Sequence, residues 1–152
     1  MQVEWLRAYV EKLLREAWDE EPYIDGDGDF PFRYGTAACW VRVHGERRPT
    51  RVEVFAHVVQ GVKPTARLLR ELNECNRRMM YARIYEINGG VVVEQSIDVD
   101  GLNGRTLRRV CTAVGTVADD MGSLLAAMFD GTTPFLPEPL PSDPPSIEAE
   151  GA

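Results

Sequence analysis

Few residues in this sequence have side chains able to do chemistry. His44 and His57 are the only histidines, Cys39, Cys75 and Cys111 the only cysteines, and Asp25, Asp27 and Asp29 alternate with glycine in an acidic segment. A metal centre on the two histidines needs a third ligand, with Glu53 or Cys39 as candidates. Strand alternation puts both histidines on one face, where they are expected to approach each other across a hairpin. It puts Cys39 on the other face, so two metal-free strand histidines are expected. An EF-hand counted from Asp25 requires Gly at its sixth position and Glu at its twelfth. Phe30 and Thr36 stand there, so Asp25–Asp29 is expected to be a solvated acidic turn, with a weak divalent site as the lesser alternative. The cysteines lie 36 residues apart with no CxxC pair, which reads as three buried, reduced thiols of a cytoplasmic protein. There is no GxSxG elbow, GxxxxGK[ST] loop or GxGxxG turn, and Asp119-Asp120 reads as the wet side of a helix. No catalytic residue, metal or cofactor is expected, and the function is read as non-enzymatic.

Charge narrows the classes further. The chain has 152 residues, with 17 basic against 24 acidic side chains and a net charge of -7. That balance opposes non-specific nucleic-acid binding. All but two of the basic residues are arginine. Arg47, Arg48 and Arg51 cluster at one turn, and Arg67, Arg70, Arg77 and Arg78 lie along one helix, interspersed with Glu46, Glu53, Glu71 and Glu74. A salt-bridged surface is the expectation, and a basic groove for an acidic peptide or nucleic acid the alternative. No apolar run approaches the roughly 20 residues of a membrane span, and the acid-bearing N-terminus does not resemble a leader peptide. Residues 131–152 hold six of the ten prolines, four acids and no base. Residues 132–152 are therefore expected to form a disordered Pro-rich tail outside a single domain of residues 1–131, with Phe135 and Leu136 folding back onto the body. A polyproline ligand for a partner domain is the functional alternative for this tail.

The elements that must position these residues follow from periodicity. Val3, Leu6, Val10, Leu13 and Ala17 give a helix over about 2–19, with Trp5 and Tyr9, four apart, on a second face. Alternation over 34–44 and 51–59 gives an antiparallel hairpin with a short edge segment at 30–32. Cys39, Val41 and Val43 share one face with Val52, Val54, Ala56 and Val58; Trp40, Phe55 and both histidines take the other. A second helix spans about 64–79, starting at Pro64 and burying Leu68, Leu69, Leu72, Cys75 and Met79. Asn88-Gly89-Gly90 joins strands 82–88 and 91–99. A last helix spans about 104–129, its stripe running from Leu107 through Leu124 and Leu125 to Met128. Gly115 and Gly122, each costing about 1 kcal/mol against alanine, imply a close backbone there. The fold class is α+β, an antiparallel sheet with helices packed on one face.

One face of the sheet is thereby left with large side chains and no assigned cover. Trp40 and Phe55 there are either covered by the chain's own tail or first helix, or exposed as a groove for an extended or helical client segment. Trp5 and Tyr9, with the last helix, are the alternative, as a dimer interface.

The segments GDFPFRYGTAACWVRV (28–43), LLRELNECNRR (68–78), GGVVVEQSI (89–97) and LLAAMFDG (124–131) resemble the YbjN-like domains of bacteria and, through them, the type III secretion chaperone-like fold. The resemblance covers roughly residues 3–131. It implies an α-β-β(β)-α-β-β-α order, pairing into homodimers, and a non-enzymatic, peptide-binding chaperone or regulator with no catalytic motif to carry over. The leading expectation is a cytoplasmic homodimer that shields a client segment through Trp40, Phe55, Trp5 and Tyr9, with no cofactor, nucleic acid or membrane. The alternative is a sensory or regulatory adaptor that binds one folded partner.

Overall fold

The computed structural model describes residues 2–45 and 49–137. Helix α1 (Gln2–Trp18) leads into a loop, followed by strands β1 (Phe30–Tyr34), β2 (Ala37–His44) and β3 (Arg51–Gln60). Helix α2 (Ala66–Arg78), strands β4 (Arg83–Ile87) and β5 (Gly90–Asp98), a single 3₁₀ turn and helix α3 (Gly104–Phe129) complete the order. The strands form one antiparallel sheet, β1-β2-β3-β5-β4. This is the α+β plan expected, and the details differ where local chemistry overrides pattern. The alternating stretch at 34–44 contains a turn. Gly35, at φ +58°, reverses the chain between β1 and β2. Pro64 does not open α2, because Thr65 caps it, its side chain accepting from Leu68 N at 3.2 Å. Asn88 and Gly89 both take positive φ, as a two-residue hairpin turn demands. Of the first hairpin's link, residues 46–48 lie outside the described residues.

All three helices pack on one face. Val41, Val52, Val54, Val58 and Val93 point into the helix layer and are fully buried, as are Val10, Leu68, Val114 and Leu125 from the helices. The bulge between His57 and Val59 lets Val58 and Val59 both bury. Leu69 and Leu124, assigned to the core by spacing, are about half exposed. Each sits at the rim of a stripe wider than the sheet beneath it. Helix α3 is long and apolar enough for a membrane span by length and composition alone, contrary to the run-length expectation. Its apolar stripe, including Leu107, Val110, Val114, Ala118 and Leu125, is core.

The two helix glycines mark close contacts. A Cβ on Gly122 would lie 2.9 Å from Thr36 Oγ1 and 3.3 Å from the Val58 carbonyl. One on Gly115 would lie 2.4 Å from the Tyr34 ring, a side chain rather than the backbone expected. Asp119 is not solvated as read; its Oδ1 accepts from Thr36 N at 2.8 Å and from Thr36 Oγ1 at 3.1 Å, fastening α3 to the β1–β2 turn. On the far edge, Asn76 of α2 substitutes for a strand. Its amide donates to the Ile84 carbonyl and its oxygen accepts from Ile84 N, both at 2.9 Å, which closes part of the β4 edge.

After α3, Thr132 and Gln60 exchange backbone hydrogen bonds of 2.9 Å, and Phe135 N donates to the Thr36 carbonyl at 3.1 Å. Arg33 lays its guanidinium 4.5 Å from the Phe135 ring centre and donates to the Leu136 carbonyl. Residues 132–137 thus return along the sheet end. Residues 138–152 of the expected tail lie outside the described residues.

Candidate functional site

The face of the sheet turned away from the helices is a lattice of aromatic rings and ion pairs, set by strand register. Pairing places Pro31, Trp40, Phe55, Glu94 and Arg83 in one row across the five strands. The neighbouring row holds Arg33, Ala38, His57, Val92 and Tyr85. Directly opposed residues of antiparallel strands have Cβ atoms about 5 Å apart, so Trp40 and Phe55 stack, ring centres 5.2 Å apart and planes 13° from parallel. His57 tilts against Trp40 at 4.8 Å, and Arg42 covers Phe55 at 4.6 Å.

Charge frames this cluster. Arg42 binds Asp29 through Nη2–Oδ2 at 2.6 Å and Nε–Oδ2 at 2.9 Å. Arg83 pairs with Glu94, which also accepts from Tyr85 Oη at 2.8 Å. Glu53 takes Arg51 at 3.9 Å and lies 3.1 Å from His44 Nε2; that buried nitrogen has no aligned hydrogen-bond partner among the described residues. Asp29, Glu53 and Glu94 are buried under their cations. Paired this way, a carboxylate avoids much of the penalty of leaving water.

The outcome for the expected site residues is mixed. Trp40 is half-buried, while Phe55 is only 9% exposed. Arg42 and the Trp40 ring lie against Phe55, so this part of the face is a filled aromatic plaque, with the cover supplied by the sheet's own side chains. Trp5 and Tyr9 form a second stack on α1, 5.3 Å apart at 13°. Trp5 is 61% exposed, and since α1 belongs to the helix layer this pair does not join the plaque.

The histidines do not meet. His44 pairs with Arg51 and His57 with Ala38, so they sit at opposite ends of the hairpin, about 20 Å apart along the strand. Burial pushes the His57 imidazole below its ordinary value, and burial pushes the Cys39 and Cys111 thiols up to about 12. These are packing groups rather than nucleophiles; Cys75 is only partly buried. The ligand oxygens of Asp25, Asp27 and Asp29 lie within 4.8 Å of one another. Asp25 Oδ1 accepts from the backbone of Asp27 and Asp29, and Asp29 serves Arg42. Intramolecular bonds thus explain the turn.

Sequence reasoning missed Met80 and Tyr81, 84% and 78% exposed beyond α2, since both fell beside an apparent helix end. It also missed the Arg42–Asp29 and Arg83–Glu94 pairs. Parity had placed Arg42 beside Trp40, but only the register identifies its partner.

The chain belongs to the family described as T3SS (YopN, CesT) and YbjN peptide-binding chaperone 1, whose profile matches residues 4–137. Among solved structures it is similar to a chain in the crystal structure of the ExsC-ExsE complex, with a TM-score of 0.63 and 14% identity over 81% of this chain and 95% of that one. That likeness shows the fold. No curated protein matches. The chain is therefore a chaperone-like, peptide- or protein-binding member of this family.

Proposed function

We propose that the open sheet face around Trp40 and Phe55 is where this chaperone holds a client segment, with the Trp5–Tyr9 stack on α1 as a second contact. The observation that carries the reading is the ring pair at the centre of a sheet whose helices all lie on the other side. A flat face holding rings between fixed charges suits an extended segment: its apolar side chains lie on Trp40, and its polar groups meet the rim of ion pairs. The mechanism is shielding. The client loses apolar contact with water and no bond is made or broken, so a non-enzymatic role is part of the proposal. So are residence in the cytoplasm and a homodimeric state, which a solution mass near twice 17.1 kDa would support and a monomeric mass would overturn. The solved relative comes from a two-protein complex, which supports a protein partner.

The test is suppression of aggregation of a reduced, unfolded model protein. Trp40→Ala is expected to lose most of the protection at unchanged helix content, and Trp5→Ala a smaller part. Full protection by the Trp40→Ala, Phe55→Ala double variant would assign the client elsewhere. Binding to a single folded protein, with no effect on unfolded chains, would favour the adaptor reading.

A further inference from the structure

The helix side carries a second feature that neither the fold nor the sheet face uses. The first fifteen residues of α3, 104–118, contain Arg105, Arg108 and Arg109 and no acid. All three arginines are exposed, and none forms an ion pair with any described residue. Spacings of three and four put them on one side of the helix, where like charges repel. They also stand in its first turns, where the helix dipole disfavours cations. The arrangement therefore opposes folding, in a chain of net charge -7 that has acids to spare. Arg7, Arg67, Arg70 and Arg78 are likewise exposed without an ion pair to a described residue, but they do not border this groove. Local pairing occurs elsewhere: Arg15 is paired with Glu11 and Glu21, and Arg77 with Glu74.

These side chains border a groove of about 690 Å³ between α3 and the C-terminal half of α1, floored by Leu13 and Ala17, with Glu16 its only acid. The α3 backbone end is already occupied, Asn103 Oδ1 accepting from Thr106 N at 2.8 Å, so the side chains rather than free amides face the groove. We infer that this groove is a docking surface for an acidic, extended segment of a partner protein, whose carboxylates meet the three guanidinium groups while its apolar side chains rest on Leu13 and Ala17. Guanidinium forks match carboxylates, and three cations on an acidic protein suit a short peptide better than a phosphate backbone. The inference stands apart from the client-binding proposal, because the groove lies on the opposite side of the sheet.

The test uses the full chain and a fluorescein-labelled peptide repeating Glu-Leu-Ser, with Gln-Leu-Ser and Lys-Leu-Ser repeats as controls, read by anisotropy. The acidic peptide is expected to bind and the controls not. Its affinity is expected to fall about tenfold or more between about 0.1 M and about 1 M salt, as the screening length shortens from about 10 to about 3 Å. The triple variant Arg105→Gln, Arg108→Gln, Arg109→Gln is expected to lose at least about tenfold in affinity with a thermal midpoint unchanged or higher, and the triple Lys variant to keep salt-sensitive binding. Loss that survives in the Gln triple but is absent in Trp40→Ala keeps the two surfaces distinct. Equal binding of the Gln-Leu-Ser peptide, or unchanged affinity in the Gln triple, overturns the inference. Tighter binding of an oligothymidine at the same arginines overturns it too, in favour of nucleic acid.

Discussion

On the helix side of the sheet, Val41, Val52, Val54 and Val93 are wholly buried under α1 and α3. One residue along each strand, on the other side, stand Trp40, Arg42, Phe55 and Glu94, joined by stacking, a guanidinium over a ring, and buried carboxylates under arginine. Both surfaces come from the same period-two alternation. They differ in what completes them. The aliphatic side is completed by other elements of the chain, so its energy is folding energy. The aromatic side completes itself with cross-strand pairs, leaving ring surface at Trp40 within a charged frame. A self-supporting lattice holds its geometry before a partner arrives, and preorganisation of that kind lowers the ordering cost of binding.

The contrast can be broken most violently from the helix side. Leu107→Ala removes a side chain 1% exposed between α3 and the sheet and is expected to cost about 2–5 kcal/mol, measured by urea unfolding, with client protection per folded molecule unchanged. Gly115→Ala comes next. Its Cβ would lie 2.4 Å from the Tyr34 ring, and displacing that ring, whose hydroxyl accepts from Thr116 at 3.1 Å, is expected to cost about 1–3 kcal/mol. Asn76→Ala frees both polar groups of Ile84 at the β4 edge. It is expected to cost about 1–3 kcal/mol and to raise amide exchange at Ile84 specifically.

The smallest expected effect sharpens the contrast from the open side. His57 is held below its ordinary value by burial, so the fold favours its neutral form. As pH falls through about 6.5, the unfolded chain takes up the proton first, and the stability contributed by the neutral form declines on acidification. His57→Gln is expected to flatten that part of the pH dependence of the unfolding midpoint. An unchanged profile would show that His57 does not titrate differently in the fold.

The alternation in CWVRVH and RVEVFAHVV was enough to place Trp40 and Phe55 on one face, opposite the valines, and the Asn88-Gly89 turn and the α3 stripe were equally legible. What stayed hidden depended on register and long-range pairing. His44 and His57 share a face, but only the pairing of Arg51 with His44 shows that they lie at opposite hairpin ends. Asp119 has the periodicity of a wet residue and instead caps the turn at Thr36, 83 residues away. Whether Phe55 is covered or exposed stays open in the sequence, because nothing local shows that Arg42, held by Asp29, lies over it. The α3 arginines were legible as letters; that they border one groove with Leu13 and Ala17, and form no ion pair with a described residue, emerged only from the packing of α1 against α3.

The most direct test replaces Trp40 with the photo-crosslinking residue benzoylphenylalanine and irradiates the full chain with an unfolded model protein. A control carries the same replacement at Asp120, exposed on α3. The account predicts a covalent adduct from position 40 and none from position 120. Adducts from position 120 with none from position 40 would place the client on the helix side and contradict the assignment of the open sheet face.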